Sequence, residues 1–228
     1  MLDFDSDDTL GIYDEVLMET TSKPICLVEG NNKFFYQQIK ELHPYLVDDG
    51  GNCTDIIRKV GREKYKLGII DNDYRDKNEQ IDNIIKIDYY SIENIVLEKI
   101  PEFNCLIEIL KAEKLEELIL HDIKVCFYPK DRENKEFTLS LGRRYQKEER
   151  IKYVQSEITS FAFLVKYKNL KIAVESTNRY ISMKLHKKIQ IINDLHNYID
   201  EKSIKEILSR EEYERFLKTS ASILSENN

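Results

Sequence analysis

Two short apolar runs, each closed by an acidic turn, organise the first half of the chain. The first is Ile25-Cys26-Leu27-Val28-Glu29-Gly30 and the second is Lys66-Leu67-Gly68-Ile69-Ile70-Asp71-Asn72-Asp73. Runs this short, rich in β-branched residues and bounded by turn formers, predict strands buried on both faces rather than one face of a helix. Between them, residues 31–43 read as a helix with Phe34, Phe35, Ile39 and Leu42 turned inward, stopped by Pro44. Residues 45–47 then read as a short strand, Asp48-Asp49-Gly50-Gly51 as a turn, and 54–60 as a second helix. Residues 84–89 predict a fourth strand, and Ser91 predicts the cap of a helix opening with Ile92-Glu93-Asn94. Strands alternating with helices in this way imply an α/β fold built on a parallel sheet.

The second half has a different pattern. Residues 106–120 read as helix, 124–128 as one extra strand and 129–134 as a charged loop, followed by helices over 145–167, 182–199 and 203–224. No repeat, low-complexity tract or Gly/Ser linker separates the halves. The expected organisation is an acidic segment over 1–23, an α/β domain over 24–123, and a mainly helical, basic region over 124–228 packed on it.

Charge sharpens this division. The net charge of −7 is carried by residues 1–30, with eight acids and one base, so the remainder is neutral. Within that remainder, residues 124–190 hold sixteen Lys and Arg against seven Asp and Glu, interleaved with Tyr145, Tyr153, Tyr167 and Tyr180. Bases with aromatics suit a phosphate backbone and stacked nucleobases, and Arg143, Arg144, Lys166, Lys168 and Lys171 are the candidate nucleic-acid contacts. The same segment also fits amphipathic helices with a solvated basic face.

Several classes are disfavoured. No stretch approaches eighteen apolar residues, so no membrane-spanning helix is expected, and an acidic rather than basic start predicts a cytoplasmic protein. Cys26, Cys53, Cys105 and Cys126 lack CxxC spacing and His43, His121, His186 and His196 lack zinc-ligand spacing, so buried free thiols and no structural zinc are expected. The Asp3 to Thr9 run has the DxDxT spacing of aspartate-nucleophile phosphatases without the apolar strand that must precede it.

The candidate chemistry lies in the acids. Groups just past the carboxyl ends of parallel strands share one crevice, where Glu29, Asp71 and Asp73 are expected to converge. Carboxylates so placed raise one another's pKa or attract a cation, and the cation that suits hard oxygen ligands is Mg2+ or Mn2+. Asp71 and Asp73, two apart in an extended run, share a face. Glu29 can complete the site or act as general base, Glu93 in the first turn of a helix can reach the same crevice, and Asn94 can support them from behind. Singly, each acid also fits a strand end, a turn or a helix cap. Their conjunction in this order points to a metal site.

The Glu29-Gly30 turn leading into Phe34 and Tyr36, the Asp71-Asn72-Asp73-Tyr74-Arg75 run, and Tyr90-Ser91-Ile92-Glu93-Asn94 together resemble a TOPRIM domain. That domain is the metal-binding module of topoisomerases, primases and OLD-type nucleases. The chain is similar to the compact, ATPase-less TOPRIM effectors of PARIS anti-phage systems, the AriB family, over roughly residues 20–100. The resemblance implies a TOPRIM-like parallel sheet flanked by helices, with Glu29, Asp71 and Asp73 as metal ligands and Glu93 as a further catalytic acid. It implies a magnesium-dependent endonuclease acting as a toxic effector, cutting RNA such as tRNA and working with an ABC-type ATPase partner. Small nucleases often cut as dimers, so a homodimer is the expected active form. Where many relatives carry another acid after Glu-Gly, this chain has Asn31, Asn32 and Lys33. OLD-type nucleases also use a downstream Lys that sequence does not single out here among sixteen bases. The alternative is a non-catalytic TOPRIM-like module that binds the ATPase and senses infection.

Overall fold

The computed structural model describes residues 23–63, 65–72, 81–112, 123–131, 136–143, 161–167, 170–186, 189–190 and 195–226. In chain order its elements are β1 (Ile25–Glu29), α1 (Lys33–Tyr36), β2 (Leu46–Gly51), α2 (Cys53–Val60), β3 (Leu67–Ile70), β4 (Ile84–Lys86), α3 (Ile92–Lys99) and α4 (Asn104–Ala112). They continue with β5 (Ile123–Asp131), β6 (Glu136–Arg143), α5 (Phe161–Tyr167), α6 (Lys171–Leu185) and α7 (Arg210–Glu226). Strands β1 to β4 form one parallel sheet in the order β2-β1-β3-β4, as expected of an α/β fold. β5 and β6 form a separate antiparallel hairpin, and β5 packs on α6.

The sheet is buried on both faces, which explains why its strands are continuously apolar. Cys26, Val28, Leu67, Ile69 and Ile85 point into a large core shared with α1, α3, α4, α6 and α7. Leu27, Ile70 and Ile84 point the other way, into a smaller cluster with Cys53, Ile56 and Val60 of α2. The pleat thus distributes one apolar run between two cores.

Several expected elements are differently bounded. The helix expected over 31–43 is broken into a 3-10 turn at Gly30–Asn32, the single turn α1, and a second 3-10 turn at Lys40–Leu42, with Ile39 extended between them. Phe35, Tyr36, Ile39 and Leu42 all reach the core, while Phe34, expected inside, is turned out and 52% exposed. Asp48-Asp49-Gly50-Gly51 is not a turn but the second half of β2, paired with β1 from Leu27 to Glu29. Gly50 is required there, since a Cβ would come within 2.4 Å of Ile56 Cγ1. The helix expected over 182–199 lies earlier, as α6, and ends where His186 takes a left-handed φ of 50°. The strand expected over 124–128 extends to Asp131 and gains β6 as a partner. Cys26 and Cys53 are buried as expected, but Cys105 is exposed.

The edge strand β4 is closed by α7. The outward Lys86 N–H donates to Glu212 Oε2 at 3.1 Å, and the Arg215 guanidinium donates to the carbonyls of Ile81 and Ile84. Arg215 is itself paired with Glu212 at 2.6 Å. Side chains of one helix therefore occupy the backbone groups that another strand would otherwise seek. Among the described residues no helix is long and apolar enough to cross a membrane.

Candidate functional site

The chain runs from β1 to β2 on one side of the sheet and returns to β3 on the other, so the β1/β3 boundary is where the winding reverses. Ligand crevices of open parallel sheets form outside the carboxyl ends of the strands at such a point. Glu29 ends β1, and Asp71 is the first residue after β3. Val28 pairs with Ile69, so the acids leave the sheet side by side. The Asp71 N–H donates to Glu29 Oε1 at 3.0 Å. Gly30, at a φ of +48°, turns the chain away directly behind Glu29.

Asp71 is only 4% exposed. Burial, opposed by the Lys171 ammonium and assisted by the charges of Glu29 and Glu93, pushes its carboxyl up from the ordinary 3.8 to about 8. Lys171 Nζ lies 3.2 Å from Asp71 Oδ2, an ion pair between residues a hundred positions apart. Lys171 is the first residue of α6, so the positive end of that helix is brought toward the acids. Glu93, in the first turn of α3, has an Oε2 atom that is buried without a hydrogen-bond partner. Beneath them Tyr36 is buried, and burial followed by the charges of Asp71 and Glu29, with Glu93 contributing less, holds its phenol well above the ordinary range. Glu29, Asp71, Glu93, Lys171 and Tyr36 thus share one electrostatic environment.

Asp73 lies outside the described residues, as do Arg144 and Lys168, and Arg143 closes β6. Lys166 is bound within the protein, 2.6 Å from Asp88 Oδ2, with its ammonium 5.0 Å from the Tyr89 ring centre. Lys171, expected from the sequence to contact nucleic acid, is placed on the carboxylates. Nothing in its local sequence marks it, because the partner that defines it is distant in the chain and it is one of many bases.

Ser91 caps α3 without bonding its backbone. Its hydroxyl instead donates to Asn94 Oδ1 at 2.9 Å, and the Asn94 amide donates to the Val165 carbonyl at 2.7 Å.

Among the described residues no three His, Cys, Asp or Glu side chains are gathered closely enough to hold a metal ion as they stand. The donor chemistry nonetheless fits a hard divalent cation. All three acids offer oxygen, and Asp71 already binds a cation in the form of Lys171. The orphaned Glu93 oxygen has a buried position that a cation or its water would satisfy. Compared with protein-family models, with curated proteins and with solved structures, the chain matches none of them.

Proposed function

We propose that the chain is a divalent-metal-dependent phosphodiesterase of the TOPRIM type, a nuclease effector of anti-phage defence whose substrate is RNA. The observation that carries this reading is the meeting of Glu29, Asp71 and Glu93 with Lys171 at the switch point of a parallel sheet.

Glu29 and Asp71, with Asp73 following in sequence, are the residues to hold Mg2+ or Mn2+, and Glu93 is the next carboxylate in reach. When bound, such an ion offsets the negative charge of a phosphodiester and makes bound water more acidic. The remaining chemistry belongs to the chain. Glu29, oriented by the Asp71 N–H, is the candidate base for the attacking water. The Lys171 ammonium is the described cation of the crevice that matches a phosphate oxygen, where it would stabilise charge developing in the transition state. Lys171 also belongs to the basic segment over 124–190, so that segment enters the site at this residue. An ABC-type ATPase as restraining partner rests on the resemblance, a homodimer as active form on the habit of small nucleases, and action in the cytoplasm on the acidic start of the sequence.

The test is induced expression of the wild type and Glu29→Gln, with and without the partner ATPase and a phage trigger, followed by growth curves and sequencing of RNA ends. Gln keeps an acceptor for the Asp71 N–H, so the fold is retained. New RNA ends and arrest in the wild type alone are expected. Equal toxicity or equal silence of two folded proteins would overturn the nuclease and favour a module that only binds its partner.

A further inference from the structure

Lys171 has to be delivered to Asp71 from a different part of the chain. Only residues 168–170 separate α6, which it opens, from α5, so the placement of α5 governs the placement of Lys171. The last turn of a helix leaves carbonyls without intrahelical partners. In α5 two of these are taken by the segment that carries Glu93. The Asn94 amide donates to the Val165 carbonyl at 2.7 Å, and the Tyr90 N–H donates to the Lys166 carbonyl at 2.8 Å.

Side chains reinforce the same joint. Lys166 and Tyr167, the two residues that end α5, both bind Asp88, at 2.6 Å and 2.5 Å. Asn94 and Ser91 have no exposed surface, and the Ser91 hydroxyl fixes which way the Asn94 amide points by donating to its oxygen. A fully buried amide with both ends engaged is a directional clamp. Its loss would leave the Val165 carbonyl without this donor. The Asn72 N–H, one residue after Asp71, donates to the Tyr89 carbonyl of the same segment. Residues 88–94 therefore touch Asp71's neighbour, carry Glu93 and grip the end of α5.

We propose that Asn94, oriented by Ser91, is a positioning residue that sets Lys171 on Asp71 by clamping the Val165 carbonyl at the end of α5. This deepens the reading of the site as a phosphodiesterase and rests on it for its functional meaning, but the clamp has a readout of its own. In metal-free protein, lysine acylation by an N-hydroxysuccinimide ester, followed residue by residue by mass spectrometry, reports how firmly each ammonium is held. Lys66, paired with Glu63 at 2.8 Å, is the reference.

In Asn94→Ala, Lys171 should acylate about fivefold faster, the release expected from losing one hydrogen bond of ordinary strength, while Lys66 is unchanged. Ser91→Ala, a smaller change, should give the same selective increase to a lesser degree, and it decides the matter if Asn94→Ala does not fold. An unchanged Lys171 rate, or Lys66 accelerating in step with Lys171, would overturn the clamp. Calorimetric titration of the wild type with Mn2+ separates the two claims. A selective Lys171 response without Mn2+ binding would retire the metal site and keep the clamp, whereas Mn2+ binding with an unresponsive Lys171 would do the opposite.

Discussion

Replacing Asp71 by Asn should stabilise the metal-free protein while removing the proposed nuclease activity, and the size of the stability effect follows from the burial of one carboxyl. Asp71 is raised from 3.8 in an unfolded chain to about 8 in the fold. A group whose folded pKa is raised contributes stability that is complete below the unfolded value and is lost as pH rises through the folded one. The metal-free wild type should therefore lose stability between about pH 4 and pH 8, at close to 1.4 kcal/mol per pH unit in mid-range. At pH 7 the accumulated loss is about 4 kcal/mol relative to the protonated state. Asn cannot ionise and fits the same volume, and Lys171, whose side chain is 36% exposed, keeps water as a partner. Urea unfolding in chelator should show Asp71→Asn gaining on the wild type as pH rises and converging with it in acid. Millimolar Mg2+ should then stabilise the wild type selectively, because only it has the carboxylate to bind. Parallel pH dependences of the two proteins in chelator would refute the argument.

Other outcomes follow from the same structure. Glu29→Gln should retain wild-type stability, whereas Glu29→Ala, which leaves the Asp71 N–H without this acceptor, should cost about 1–3 kcal/mol in urea unfolding. Phe34→Ser should change stability by less than about 0.5 kcal/mol, and Phe35→Ala should cost about 3–5 kcal/mol. Equal effects at the two positions would contradict the placement of Phe34 outside the core and Phe35 within it. Arg215→Ala should cost about 2–3 kcal/mol, since it strips the Ile81 and Ile84 carbonyls and leaves the half-buried Glu212 without its cation. A neutral result in thermal or urea unfolding would show that α7 does not close the sheet edge.

The parallel core was legible because burial on both faces writes itself into consecutive residues. Ile25 to Val28 and Leu67 to Ile70 are apolar without interruption, and no amphipathic alternative competes with them. The helix expected over 54–60 likewise ends at Val60, and it starts slightly earlier because the Asn52 side chain caps it by accepting from the Asp55 N–H. The failures are equally physical. Residues 31–43 carry enough apolar positions for one helix, but the backbone leaves the helical region at Ile39, which is extended, and no count of apolar positions encodes that break. Gly50 and Gly51 look like a turn, yet their small size serves the close approach of Ile56 and Asp55 to an extended strand.

At the site, Glu29 and Asp71 were legible because strand ends place them, and Glu93 because it opens a helix behind the next strand. For Lys171, basic composition describes a segment and not a contact, so its pairing with Asp71 is visible only in the fold. The Asn94 clamp needed a tertiary partner, the Val165 carbonyl, that no local pattern encodes.

The most direct test of the central claim is incubation of the purified chain with total cellular RNA in Mg2+ or in chelator, beside Glu29→Gln and Lys171→Met, with every new RNA end read by sequencing. Discrete ends that need both Mg2+ and Glu29, and that fall sharply with Lys171→Met, are the predicted result. Cleavage that persists in chelator or in Glu29→Gln, or an RNA profile left identical by all three folded proteins, would contradict it.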